Sequence, residues 1–124
     1  LSLRRQRQMC IRDSNIRDNL EAVHCGDLIA ALKLNQAFHF ALADIAGMPL
    51  LRDMLDSLWM RTGPLIARAY GDFSERMAVE HHWEVLRALE KGDGTAARQA
   101  ICTDILDGNQ KMMELIARRE ATLA

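Results

Sequence analysis

The sequence predicts a single all-α domain, built as an antiparallel bundle of about five to six helices. Its 124 residues fit one domain rather than two. The chain has 17 Ala, 17 Leu and 7 Met but only 11 Val plus Ile. Small and straight-chain residues favour helices, whereas β-branched residues favour strands. Only two prolines interrupt the chain, so long helices are expected.

Residues 1–14 differ from the rest of the chain. They are rich in Arg and Gln, and no apolar stripe continues from them downstream. Their second half also resembles translated library-adapter sequence. We interpret the segment as a basic leader that is a sequence artefact, with a natural basic arm as the alternative. The domain itself is predicted to span residues 15–124.

Caps and glycines divide this domain into helices. Ser14 or Asn15 can cap a short first helix that ends at Gly26. Asp27 is the expected cap of a long second helix, which Gly47 ends. Apolar residues recur at helical spacing along this second helix: Leu28, Ala31, Leu32, Leu34, Phe38, Leu42 and Ile45.

Capping residues, prolines and glycines also mark the boundaries of the remaining helices. Pro49 suits the first turn of a third helix, which Pro64 should kink or end. Residues 65–70 are expected to resume this helix for a turn or two. Ser74 is the expected cap of a fourth helix, which stops at a tight Gly-Asp-Gly break at 92–94. A fifth helix is predicted over 95–119, and the short connections make neighbouring helices antiparallel.

Charge, hydropathy and cysteine usage exclude several classes of protein. Sixteen Lys plus Arg against 17 Asp plus Glu give a net charge of −1, without the basic excess of a free-standing DNA-binding domain. No apolar run is long enough to span a membrane, and no signal peptide is visible. Cys10, Cys25 and Cys102 are widely spaced, which indicates reduced thiols in a cytoplasmic protein.

Four polar residues can converge because of their helical spacing. Asn35 and His39 are four residues apart, on one face of the second helix. His82 lies about ten residues before the Gly-Asp-Gly break and Asp104 about twelve after it, so they differ by only about 3 Å in level along the hairpin. Such an arrangement suits a divalent metal ion. On spacing alone, ordinary polar pairs and hydrogen-bonded core histidines remain the alternative.

Two sequence motifs contain these residues. The first is LNQAFHFAL at 34–42, followed by AGMPLL at 46–51, and the second is HHWEVLRALEKGD at 81–93. In this order and separation they resemble the FCD family, the FadR-type carboxy-terminal effector domain of GntR transcriptional regulators. The resemblance covers about residues 15–116.

The resemblance implies a metal site in the core of the bundle. In many FCD domains, one Asp and three His hold a divalent metal ion, and a small carboxylate effector completes the coordination. The matching positions here are Asn35, His39, His82 and Asp104, so the sequence departs from the pattern at the first and last. The set can still hold Zn²⁺, which we favour, or Ni²⁺, Mn²⁺ or Fe²⁺. The short Asp104 carboxylate can also leave a water molecule between itself and the metal.

The same resemblance implies a ligand-sensing domain, not an enzyme. Arg61 and Arg68, on the third helix, are the candidates for pairing with the effector carboxylate, and solvated arginines are the alternative. The winged-helix DNA-binding domain that precedes FCD domains does not fit into residues 1–14. We therefore expect DNA contact only through a missing domain, with a homodimer as one option for assembly and no membrane contact.

Two other functions remain open at this point. His39, His82 and Asp104 are also a two-His-one-carboxylate set, as in mononuclear metal-dependent enzymes. Against an enzyme, Glu84 faces roughly 200° away from His82 on the helix and cannot serve as a nearby general base. The third reading is a metal-free helical interaction module.

Overall fold

The structure, a computed structural model, describes the backbone of residues 3–70 and 75–123 and the side chains of 13–67 and 79–123. Within these ranges the chain is helical and contains no strand. This confirms the prediction of an all-α fold. The five described helices are α1 (Leu3–His24), α2 (Leu28–Ile45), α3 (Pro49–Tyr70), α4 (Glu75–Glu90) and α5 (Gly94–Leu123).

None of the described helices combines the length and the apolar character that a membrane crossing requires.

The turn between α1 and α2 has the local chemistry that the sequence predicts. Gly26 has a positive φ of 73°, a conformation that a residue without Cβ adopts at little cost. The backbone N–H of Asp27 donates to the carbonyl of Ala22 at 2.8 Å and closes α1. The Asp27 side chain then accepts a hydrogen bond from the Ala30 backbone N–H at 3.0 Å and caps α2.

One predicted helix boundary is wrong. The first helix begins at Leu3 instead of Ser14 or Asn15, because residues 3–14 contain no Gly or Pro and are mostly good helix formers. Helix α3 runs through Pro64 to Tyr70, which confirms the predicted helix over 65–70. A proline inside a helix removes one backbone hydrogen bond, and this cost is tolerated here where Pro64 is exposed.

The last two helices agree with the prediction in type and order. The predicted cap Ser74 lies outside the described residues. Helix α5 begins at Gly94 and extends to Leu123, slightly beyond the predicted range at both ends. Asp93 caps it by accepting a hydrogen bond from the Ala96 backbone N–H at 2.9 Å.

The chain divides after Val79 into two compact units. In the first unit, α2 packs against both α1 and α3. Its buried apolar side chains are Ile16, Ala22, Ala31, Phe38, Phe40, Ala43 and Val79. The second unit contains α5 and most of α4. Its buried apolar side chains are Val85, Leu86, Ala88 and Ala100.

Candidate metal centre

His82 and Asp104 lie side by side in the second unit. His82, on α4, is fully buried, and its Nε2 lies 3.5 Å from an Asp104 carboxylate oxygen on α5. The tight turn at 92–94 reverses the chain so that the two residues reach the same level. Counting residues from the turn along each helix therefore predicts the proximity of His82 and Asp104 correctly. A buried imidazole beside a carboxylate combines two of the side-chain types that bind divalent metals in proteins.

His39 and Asn35 lie on α2 in the first unit, one turn apart, and both are half-buried. Two aromatic rings lie beside the His39 imidazole. The Phe38 ring lies at 5.7 Å from it in an edge-to-face arrangement, and the Trp59 ring, from α3, lies at 5.8 Å. The apolar rings limit the freedom of the imidazole, while Asn35 offers an amide oxygen whose role as a ligand stays a prediction.

The second unit supplies one imidazole and one carboxylate that could hold a metal ion, those of His82 and Asp104. The first unit supplies a second imidazole, that of the half-buried His39. Two imidazoles and one carboxylate suit Zn²⁺ and other borderline divalent ions better than Mg²⁺ or Ca²⁺, which prefer oxygen ligands. The donor set thus fits the metal that the sequence predicts.

The family of the chain is shown by a match to the family model of the FCD domain, which covers residues 13–107. The chain belongs to the FCD domain family. The resemblance predicted from the two motifs is therefore confirmed, and its extent agrees with the predicted one to within a few residues at the amino-terminal end.

A curated relative of this FCD domain is the HTH-type transcriptional regulator McbR of Escherichia coli (strain K12). The two are 27% identical over 84 residues, which cover 65% of this chain and 38% of McbR. The chain therefore aligns with well under half of this relative. No solved structure gives a significant match to this FCD domain.

The contacts of His81 are not foreseen from the sequence. Its Nδ1 lies 3.0 Å from a Glu84 carboxylate oxygen, and its Nε2 lies 2.7 Å from an Asp107 carboxylate oxygen. Both contacts are hydrogen bonds donated by the imidazole when it is doubly protonated. The three-residue spacing of His81 and Glu84 on α4 could have predicted the first contact. The contact with Asp107 could not be predicted, because it depends on how α4 and α5 pack.

The charge state of His81 should make the stability of this FCD domain depend on pH. Partial burial alone lowers the pKa of His81, but the hydrogen bonds to Glu84 and Asp107 and their negative charges outweigh it and raise the pKa. A raised folded-state pKa stabilises the fold fully below the unfolded value of about 6.5. This contribution is lost as the pH rises through the higher folded-state value.

In metal-free protein with a chelator, we therefore expect the free energy of unfolding to fall by roughly 1 kcal/mol between pH 6 and pH 9 because of His81. Urea denaturation of the parent chain and of His81→Gln measures this difference. The variant should lose this part of the pH dependence. Equal pH dependence in both proteins would contradict the assignment to His81.

The two arginines predicted to meet the effector lie on α3. The side chain of Arg61 is exposed. The side chain of Arg68 lies outside the described residues. The effector contact of both arginines stays a prediction.

Proposed function

We propose that this FCD domain is the effector-binding part of a transcriptional regulator, and that it binds a small carboxylate through a divalent metal ion. The observation that carries the proposal is the fully buried His82 imidazole beside the Asp104 carboxylate in the second unit, and the FCD pattern adds His39 as a further ligand. The printed name of the relative McbR, an HTH-type transcriptional regulator, supports the regulatory role. Because the chain covers only 38% of McbR, DNA contact is assigned to a separate domain.

The charge of the donor set supports a carboxylate as the ligand. The FCD pattern contains one Asp, and this chain has Asn35 at that position but gains Asp104 in place of a histidine. The number of carboxylates in the set is therefore unchanged, although the carboxylate moves from α2 to α5. With neutral imidazoles, one carboxylate leaves a bound divalent cation with about one unit of positive charge. That charge attracts an anionic effector.

Individual residues of the chain have different proposed roles in binding the metal ion and the effector. The buried His82 gives the set a fixed ligand, because its position is determined by the packing of the second unit. Asn35 can add an amide oxygen beside His39. Arg61 or Arg68 would pair with the effector carboxylate on the side away from the metal. An effector that binds one arrangement of the helices better than another shifts the equilibrium by its difference in binding free energy.

Metal binding and ligand screening test this proposal. We expect Zn²⁺ to raise the Tm of the chain, and one or more small carboxylates to raise it further only when Zn²⁺ is present. Calorimetric titration and metal analysis of the purified protein give the affinity and the stoichiometry. A chain that neither binds a divalent metal ion nor responds to carboxylates would be a metal-free interaction module.

Substitution of Asp104 tests its place in the set. Asp104→Asn should lower the affinity for Zn²⁺ by roughly tenfold or more, because it removes the charged ligand while keeping the size of the side chain. Glu120→Gln, on the exposed end of α5, removes a carboxylate of the same helix and should change nothing. Equal Zn²⁺ affinity in Asp104→Asn and the parent would remove Asp104 from the ligand set.

The same three donors also match the two-His-one-carboxylate set of mononuclear iron enzymes. An assay of Fe²⁺-loaded protein with 2-oxo acids and oxygen separates the two functions. Sustained product formation would favour the enzyme over the sensor.

A further inference from the structure

Trp59 contains a buried hydrogen-bond donor without an acceptor. Its indole Nε1 is buried and has no hydrogen-bond partner among the described residues. The indole nitrogen can only donate, so only an acceptor atom can satisfy it. Buried donors without partners are rare in folded proteins, because burial removes the hydrogen bonds to water that the unfolded chain makes.

The position of Trp59 connects this donor with the candidate metal centre. Its ring centroid lies 5.8 Å from that of the His39 imidazole, and the two planes are tilted by 42°. On another side, the indole meets the Phe40 ring edge-to-face at 5.9 Å. All three residues lie at the packed surface between α2 and α3 in the first unit. The indole is therefore a direct neighbour of one of the proposed metal ligands.

Gly63 places no side chain against the donor edge of the indole. It is buried and lies one turn after Trp59 on α3. A Cβ at this position would lie 3.5 Å from Cδ1 and 3.7 Å from Nε1 of Trp59. These are ordinary van der Waals distances, so an alanine would fit there and would favour the helix more than glycine does. It would also cover the edge of the ring that carries the donor.

We propose that Trp59 Nε1 donates a hydrogen bond to an oxygen of the bound carboxylate and thereby selects an anionic, oxygen-bearing effector. The inference rests on the proposed function, since it assumes a carboxylate beside His39. A carboxylate has two oxygens, so one can face the metal while the other accepts from the indole. A ligand that presents an ammonium or methyl group to Trp59 would leave the donor unsatisfied, and sites built in this way discriminate strongly. An ordered water molecule is the competing acceptor.

Three variants test the assignment. Trp59→Phe removes the donor but keeps an aromatic ring against His39. Gly63→Ala covers the donor edge without removing it. Trp83→Phe is the matched control, since it removes the other indole of the chain, which lies on α4. The probes are Zn²⁺ alone, followed by acetate, malate and citrate added to Zn²⁺-loaded protein.

We expect Trp59→Phe to bind Zn²⁺ within about twofold of the parent and to bind the best of the three carboxylates about tenfold more weakly, since hydrogen bonds to charged acceptors are the stronger ones. Gly63→Ala should weaken carboxylate binding in the same direction without lowering Tm. Trp83→Phe should match the parent in both measurements. In ¹⁵N-labelled protein, the Trp59 indole N–H resonance, assigned through Trp83→Phe, should shift downfield on addition of the carboxylate.

The outcomes separate this inference from the proposed function. If the parent responds to carboxylates and Trp59→Phe responds equally, the Trp59 assignment is wrong and the proposed function stands. A fall in Tm and in Zn²⁺ affinity with unchanged carboxylate affinity would mean a purely structural role and would also overturn it. If the Zn²⁺-loaded parent responds to none of the carboxylates, the proposed function fails and the assignment fails with it.

Discussion

Replacement of His39 by alanine is expected to lower the affinity of the chain for Zn²⁺ by roughly 100-fold or more. Loss of residues that merely orient metal ligands already costs about 10- to 100-fold, and His39 is proposed as a direct ligand. Its imidazole is half-buried, so its loss should leave the helices intact. Calorimetric titration with Zn²⁺ gives the affinity, and circular dichroism gives the helical content.

His39→Ala tests the metal centre more directly than His82→Ala, although both imidazoles are proposed ligands. His82 is fully buried, so His82→Ala would leave a cavity and lower stability as well as metal affinity. His24→Ala provides the control, because His24 is an exposed histidine at the end of α1. The proposal is wrong if His39→Ala and His24→Ala bind Zn²⁺ with the same affinity and stoichiometry.

The helices that depend on local chemistry could be predicted from the sequence. Asp27 and Gly26 determine the turn between α1 and α2 through contacts within a few residues, and this information is contained in the sequence itself. At Pro64 the sequence left open whether the helix kinks or ends, because a proline restricts a helix without always ending it. Whether the helix continues depends on the packing of the residues on both sides, which the local pattern does not contain.

In the candidate metal centre, too, some contacts could be predicted from the sequence and others could not. Helical rise along the α4–α5 hairpin was enough to bring His82 and Asp104 to one level. The position of Trp59 beside His39 was not predicted, because it depends on how α3 rotates against α2. The contact of His81 with Asp107 was likewise not predicted, because it requires a particular rotation of α5. The relative positions of residues on one helix or one hairpin can be predicted by counting residues. Contacts between separate helices cannot, because they depend on the rotation of each helix about its own axis.

Phe38→Ala should lower the free energy of unfolding by about 3 to 5 kcal/mol, the usual cost of removing a large aromatic side chain from a core. Phe38 is only 1% exposed and is among the largest fully buried side chains of the described residues. A loss of that size corresponds to a fall in Tm on the order of 10 °C or more for a domain of this length. Urea denaturation measures the effect, and an unchanged m-value would show that the folded state stays compact.

Leu50→Ala is the control for Phe38→Ala, since it also truncates a large apolar side chain on a helix. Leu50 lies on α3 and is 68% exposed, so its truncation should change the free energy of unfolding by no more than about 0.5 kcal/mol. Because the Phe38 ring also packs edge-to-face against His39, Phe38→Ala should in addition weaken Zn²⁺ binding, whereas Leu50→Ala should not. Comparable destabilisation by the two substitutions would show that Phe38 is not in the core of the first unit. Destabilisation by Phe38→Ala without any loss of Zn²⁺ affinity would show that its ring does not hold the His39 imidazole in place.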